Sequence, residues 1–314
     1  MNLLRTLILT AAGSDKIRRL VATAPLSRDV VRRFVAGETT EEAVEVTRGL
    51  IDEGLRVTLD YLGEDTTDAD LAEQTVRAYL ELLDRLRTVR DSSGSPLSEH
   101  AEVSVKLSAV GLRLDERLAF ENAARICEVA QQCGTTVTLD MEEHTTTDSV
   151  LRVLSELRET WPATGAVVQS YLRRTESDCA ALATSDSRVR LCKGTYAEPE
   201  TVAFQERAQV DLSYVRCVNT LLAGHGYPMF ATHDPRLIRI VDDRVRWYRR
   251  ARGSYEYQML YGIRPEEQRR LAREGETVRV YVPYGVQWYG YLMRRLAERP
   301  ANTAFFLRAL VSSS

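Results

Sequence analysis

The sequence predicts an α/β protein built as a (β/α)8 barrel. Three observations carry that prediction. Short β-rich runs recur along the chain, and the segments between them can each hold a helix. Within several runs the polar residues share one parity. No Gly/Ser-rich linker divides the 314 residues, so one domain over 1–314 is expected.

The first 50 positions read as helices by loose 3.6-residue periodicity, leaving 51–314 for the barrel. The β-rich runs are Leu55–Tyr61, Ala101–Ser108, Thr136–Glu142, Ala166–Tyr171, Val189–Gly194, Pro228–His233, Tyr255–Leu260 and Val278–Tyr284. Helices are expected between them, for example over Asp70–Val89, Leu118–Gln132, Asp148–Thr160 and Phe204–Gly224. Strand–helix alternation implies a parallel sheet, and eight units in about 250 residues match one closed barrel. Ser92-Ser93-Gly94-Ser95-Pro96 is a loop, not a domain boundary.

Parity then points to a site. In Val103-Ser104-Val105-Lys106, Val137-Thr138-Leu139-Asp140, Val189-Arg190-Leu191-Cys192 and Val278-Arg279-Val280-Tyr281-Val282, apolar and polar residues alternate. With the apolar parity facing the surrounding helices, Lys106, Asp140, Arg190 and Tyr281 point inward. Each lies late in its strand, near the mouth where barrels of this class place their chemistry.

Composition narrows the function classes. The chain is 44% hydrophobic and 28% charged, ordinary for a protein with a full core. A net charge of -3 makes no case for a nucleic-acid partner. Cys127, Cys133, Cys179, Cys192 and Cys217 form an odd set without CxxC spacing, which favours a reducing, cytoplasmic setting over disulfides or zinc. The apolar run Asn2–Thr10 is too short to span a bilayer and is followed at once by charges, so it reads as a docked helix.

Individual motifs carry two readings. Asp140 is placed inside by parity and needs a partner, for which Lys106 on the neighbouring strand is positioned; Glu142 and Glu143 read as an exposed acidic turn. His144 with Glu142 makes only a weak metal motif. Arg190-Leu191-Cys192-Lys193-Gly194-Thr195-Tyr196 is either a solvated strand end or an anion cradle; Arg190 and Lys193 both reach the site only if the strand stops near Cys192. Thr232-His233-Asp234-Pro235 places a histidine before a helix start, a place that binds phosphates. Gln169 supplies an amide that could hydrogen-bond a heterocycle. After Pro283-Tyr284-Gly285, a short helix carries Trp288, Tyr291, Arg294, Arg295 and Glu298. Paired guanidinium forks there suggest recognition of a carboxylate or phosphate. No GxGxxG or P-loop is present.

Val105-Lys106-Leu107-Ser108, Leu139-Asp140-Met141-Glu142, Lys193-Gly194-Thr195-Tyr196, Ala231-Thr232-His233, Tyr257-Gln258-Met259-Leu260-Tyr261-Gly262 and Tyr291-Leu292-Met293-Arg294-Arg295-Leu296 together resemble proline dehydrogenase, in that family's order. Only a barrel is present, without the aldehyde dehydrogenase and DNA-binding modules of bifunctional relatives, and Thr195 stands where the family has a small residue. The resemblance implies a distorted (β/α)8 barrel with a C-terminal helix over the active site. It implies FAD-dependent oxidation of L-proline to Δ1-pyrroline-5-carboxylate, with hydride passing from proline C5 to flavin N5. Electrons would continue to a membrane quinone, from a peripheral position on the inner membrane face. A separate pyrroline-5-carboxylate dehydrogenase would take the product. By the same resemblance Arg294, Arg295 and Lys106 hold the substrate carboxylate, and Asp140 lies at the substrate. Tyr281 and Tyr291 wall the ring, and Glu298 orients an arginine. Met141, Gln169, Arg190, Lys193, Gly194, Thr195, Thr232 and His233 line the flavin, with Arg190 at its reactive edge.

Three rival readings remain at this point. A Schiff-base lyase would use Lys106 or Lys193 as nucleophile. A helical, cofactor-free binding module would lack the strands. A flavin barrel could also take another amine, such as hydroxyproline. The basic stretch Arg244–Arg252 reads as a solvated face in preference to a lipid contact.

Overall fold

The computed structural model describes residues 31–298, with side chains as far as residue 293. The apolar run Asn2–Thr10 and the segment Ala301-Asn302-Thr303 lie outside the described residues.

All eight expected strands form: β1 (Arg56–Tyr61), β2 (Ala101–Val105), β3 (Val137–Leu139), β4 (Ala166–Gln169), β5 (Arg188–Cys192), β6 (Tyr227–Ala231), β7 (Glu256–Leu260) and β8 (Val278–Tyr284). The parallel sheet runs β3-β2-β1-β8-β7-β6-β5-β4. Its two edges meet where Leu139 N–H donates to Gly165 O at 2.9 Å and Gly165 N–H to Val137 O at 2.8 Å. A Cβ on Gly165 would lie 2.5 Å from Thr138 Oγ1, so glycine permits that closure. The result is a distorted (β/α)8 barrel.

Helices α1 (Thr40–Asp52), α2 (Ala69–Thr88), α3 (Glu116–Gln132), α4 (Thr147–Thr160), α5 (Thr175–Leu182), α6 (Arg207–Ala223), α7 (Pro235–Trp247) and α8 (Pro265–Arg273) surround it, and α9 (Trp288–Glu298) follows β8. Their starts are written locally. Thr39 and Glu42 form a capping box on α1, while Asp68, Asp115 and Asp234 cap α2, α3 and α7.

The runs through Ser108 and Glu142 end as strands earlier than expected. Leu107–Val110 turns into a 3-10 segment, and β3 stops at Leu139. Polar–apolar alternation continues past the last ladder bond, and alternation alone does not mark where pairing stops.

Val57, Leu59, Val103, Val105, Val137, Leu139, Val189, Leu191, Val278, Val280 and Val282 are buried with apolar helix residues such as Tyr79, Leu83, Ile126 and Val218. Burying each aliphatic side chain contributes about 1.5–3 kcal/mol. The opposite parity fills the barrel with charge. Glu102 on β2 pairs with Arg188 across the barrel on β5, and accepts from Thr58 at 2.9 Å. Arg279 on β8 pairs with Glu256 on β7 at 2.7 Å.

A second cluster forms at the mouth. Phe34, Val35, Leu62, Ile263, Trp288, Tyr289 and Leu292 pack together. Ala36 N–H donates to Pro283 O, Gly285 N–H to Gly37 O, and Trp288 Nε1 to Glu38 Oε1 at 2.7 Å. The residues before α1 therefore fasten the start of α9 beside the ends of β1 and β8.

Candidate active site

Barrels of this kind normally fill their interior with branched aliphatics. Here four carboxylates (Asp60, Glu102, Asp140, Glu256) and four cations (Lys106, Arg188, Arg190, Arg279) share it. Buried ion pairs seldom beat an apolar packing of equal volume. Stability does not explain this interior, and a site does.

The four inward groups expected from parity do converge. Asp140, just beyond β3, accepts from Ser104 Oγ at 2.9 Å, Arg190 Nη1 at 2.8 Å and Tyr281 OH at 2.6 Å. The Arg190 guanidinium carbon lies 5.2 Å from the centroid of the Tyr281 ring. Arg190 Nε donates to Gln258 Oε1 at 2.6 Å. Its Nη2 is buried without a hydrogen-bond partner among the described residues, Glu102 Oε1 lying 3.7 Å away.

Lys106 is where parity put it, but its main partner is different. Its Nζ lies 2.7 Å from both oxygens of Asp60 and 3.7 Å from Asp140 Oδ2. Asp60 was missed, although Val57-Thr58-Leu59-Asp60 alternates like the other strands. Burial opposes the Lys106 charge, yet Asp60 and Asp140 more than offset that and raise its pKa. Burial, with Asp140 nearby, pushes Asp60 up to about 6 despite Lys106. Lys106 is thus held as an ammonium, the wrong state for a Schiff-base nucleophile, which needs a depressed pKa. The eight strands likewise set aside the helical binding module.

The other expected residues gather on the far side of the mouth, at the ends of β3 to β6. Gln169 Nε2 donates to Glu142 O at 2.7 Å, and Met141 and Thr232 are buried. His233 Nε2 accepts the Leu260 N–H at 2.8 Å, so a neutral ring carries its proton on Nδ1. β5 stops at Cys192, the condition for Arg190 and Lys193 to share the mouth. Lys193 Nζ sits 2.5 Å from Asp211 and 3.4 Å from Asp234, while Thr195 is exposed. Gly194 has φ +99, and a Cβ there would meet the Tyr171 ring at 2.2 Å; packing alone already requires glycine.

One reading is corrected. Glu142 is not exposed: it is 4% accessible and takes Ser108 N–H at 3.1 Å and the Ser108 hydroxyl. The loop after β2 covers it, a contact invisible in its own strand. His144 pairs with Glu198, from the loop after β5. Glu143 is half-buried and bonds Arg113. In the basic stretch, Arg250 donates to Gly224 O, Gly226 O and Ser254 O, and Arg244 and Arg246 pair with Asp243 and Asp242. The Tyr291 ring is buried in the second cluster. The side chains of Arg294, Arg295 and Glu298 lie outside the described residues, although their backbone is within α9.

Fold and site define a parallel-barrel protein with a charged mouth and a C-terminal helix following its last strand. The family profile described as proline dehydrogenase matches residues 43–308, and the chain belongs to that family. Proline dehydrogenase 1 of Bacillus subtilis subsp. natto is 38% identical over 283 residues, covering 89% of this chain and 90% of its own length. The proline dehydrogenase of Deinococcus radiodurans is 36% identical, covering 99% and 98%. The bifunctional protein PutA of Escherichia coli is 28% identical over 96% of this chain but only 25% of PutA. In structure, proline utilization A from Bdellovibrio bacteriovorus, inactivated by N-propargylglycine, matches with a TM-score of 0.78 at 24% identity, covering 94% of this chain and 36% of that one. The chain is therefore an oxidoreductase of proline catabolism, with proline as its substrate.

Proposed function

We propose that the chain, as one barrel domain over 1–314, binds FAD and oxidises L-proline to Δ1-pyrroline-5-carboxylate, with a membrane quinone as the final acceptor. The observation that carries this reading is the Lys106–Asp60 and Asp140–Arg190–Tyr281 cluster at the mouth of a proline dehydrogenase barrel. When bound, FAD supplies the acceptor at N5 for the hydride leaving proline C5.

The residues present fit that cofactor. Arg190 Nη2 is a buried donor awaiting an acceptor, and a cation at that place favours a reduced, anionic ring system. Met141, Gln169, Lys193, Gly194, Thr195, Thr232 and His233 would complete the cofactor side, on β3 to β6. The substrate side is built from β1, β2, β8 and α9. Lys106, held as an ammonium, would take the proline carboxylate together with Arg294 and Arg295. Tyr281 and Tyr291 would flank the ring, Glu298 would orient an arginine, and Asp140 would face the substrate amine. The clamp places C5 and keeps water out, which is most of what hydride transfer asks of a protein.

No helix among the described residues is long and apolar enough to cross a membrane. The proposed meeting with quinone is peripheral, at the inner membrane face from the cytoplasmic side. The product passes to a separate pyrroline-5-carboxylate dehydrogenase. Incubation of purified protein with FAD, L-proline and a soluble quinone analogue tests the reading. Formation of the cyclic imine, matched one to one by quinone reduction, is expected. Proline turnover without protein-bound flavin would overturn it, and faster turnover of hydroxyproline would move the substrate.

A further inference from the structure

Arg190 is anchored at two points. Nη1 binds Asp140 and Ser104, at 2.8 and 3.0 Å, and Nε binds Gln258 at 2.6 Å. Two anchors fix the plane of a guanidinium, whereas one leaves it free to pivot. Gln258 is 3% accessible on β7, and its side chain faces the barrel interior.

What orients Gln258 is also on the page. Its Nε2 donates to Glu256 Oε1 at 2.6 Å. Glu256 is gripped by Arg279 at 2.7 and 3.2 Å and accepts from Tyr227 OH at 3.1 Å. Burial works against the Glu256 charge, but Arg279 outweighs it and holds the carboxyl below its usual range. An ionised carboxylate only accepts, so Gln258 must turn its NH2 to Glu256 and its carbonyl to Arg190. The amide cannot flip without facing oxygen to oxygen at one end and N–H to N–H at the other.

We propose that Gln258 is a positioning residue for the redox step. Arg279 and Glu256 set its amide, and the amide sets the Arg190 guanidinium against the cofactor. This rests on the FAD reading above. Substitution at 258 should then change how well the protein favours reduced over oxidised flavin, and should do so only through Arg190.

The test is a double-mutant cycle read as the reduction potential of the bound flavin. Gln258→Met keeps the volume and removes the acceptor. It should lower the reduced-to-oxidised ratio at a fixed potential by about tenfold, about 30 mV for a two-electron couple. FAD should stay bound, kcat should fall, and KM for L-proline should hold within about twofold, since Gln258 reaches neither Lys106 nor α9 directly. In an Arg190→Lys background the same substitution should have almost no effect. Gln258→Glu should stay near wild type, because two adjacent buried carboxyls share one proton and the new O–H replaces the amide donor. If the methionine variant does not fold, Gln258→Asn, one methylene too short to reach Nε, serves in its place. A wild-type potential in Gln258→Met or Gln258→Asn, or an undiminished drop in the Arg190→Lys background, overturns the proposal. A wild type that takes up no FAD fails the cofactor reading itself and removes the basis for this one.

Discussion

Asp60→Asn is the sharpest probe of how the mouth is held. Lys106 Nζ lies 2.7 Å from both Asp60 oxygens and 3.7 Å from Asp140. At an effective dielectric of about 20, a 2.7 Å contact is a gross attraction of about 6 kcal/mol, against about 4.5 kcal/mol at 3.7 Å. Stripping a buried cation of its only partner costs about 3–5 kcal/mol. Asp140 remains here and asparagine keeps one acceptor, so the expected loss is about 2–3 kcal/mol. Over 314 residues that corresponds to a Tm lower by about 3–5 °C. Lys106 would then lean toward Asp140, off the carboxylate position proposed above, and KM for L-proline should rise about tenfold for each 1.4 kcal/mol of clamp lost. Thermal melts and steady-state kinetics on one preparation read both. An Asp60→Asn protein with wild-type Tm and KM would show that Asp140 alone holds Lys106 and that the short contact is incidental.

Other expectations follow from the same contacts. Asp60 has a raised pKa of about 6, so it is neutral in acid and charged above that value; kcat/KM should fall as pH drops through about 6, and Asp60→Asn should lose that limb. Glu102→Gln leaves Arg188 without its carboxylate and removes a charge 3.7–3.8 Å from Arg190 and Arg279; a loss of about 3–5 kcal/mol in denaturant unfolding is expected, without a specific change in KM. Trp288→Phe removes the 2.7 Å bond to Glu38; about 1.5–3 kcal/mol of stability should go, and KM for L-proline should rise more than kcat falls, because α9 carries the arginine pair.

The barrel was legible because two periodicities coincide, strand–helix alternation along the chain and period 2 within the runs. The same alternation placed Lys106, Asp140, Arg190 and Tyr281 in one cavity. Pairing was less legible. Asp60 and Lys106 are 46 positions apart, and their contact depends on the β1–β2 register, with Asp60 opposite Ser104. The Glu256–Gln258–Arg190 chain needs three strands in register before it exists. Glu142 looked exposed because its cover comes from Ser108, on another loop. The grip of Glu38 on Trp288 joins residues 250 positions apart and had no local signature.

On the proposed reading, this cluster is where proline meets a flavin. Anaerobic mixing of the FAD-loaded protein with excess L-proline tests it most directly, wild type beside Lys106→Met and Asp140→Asn. Wild-type flavin absorbance should bleach, while both variants keep their flavin and bleach at least about 100-fold more slowly at equal proline, a loss of about 2.7 kcal/mol. A protein that stays colourless after incubation with FAD, or a bound flavin that bleaches equally fast in all three, would contradict it.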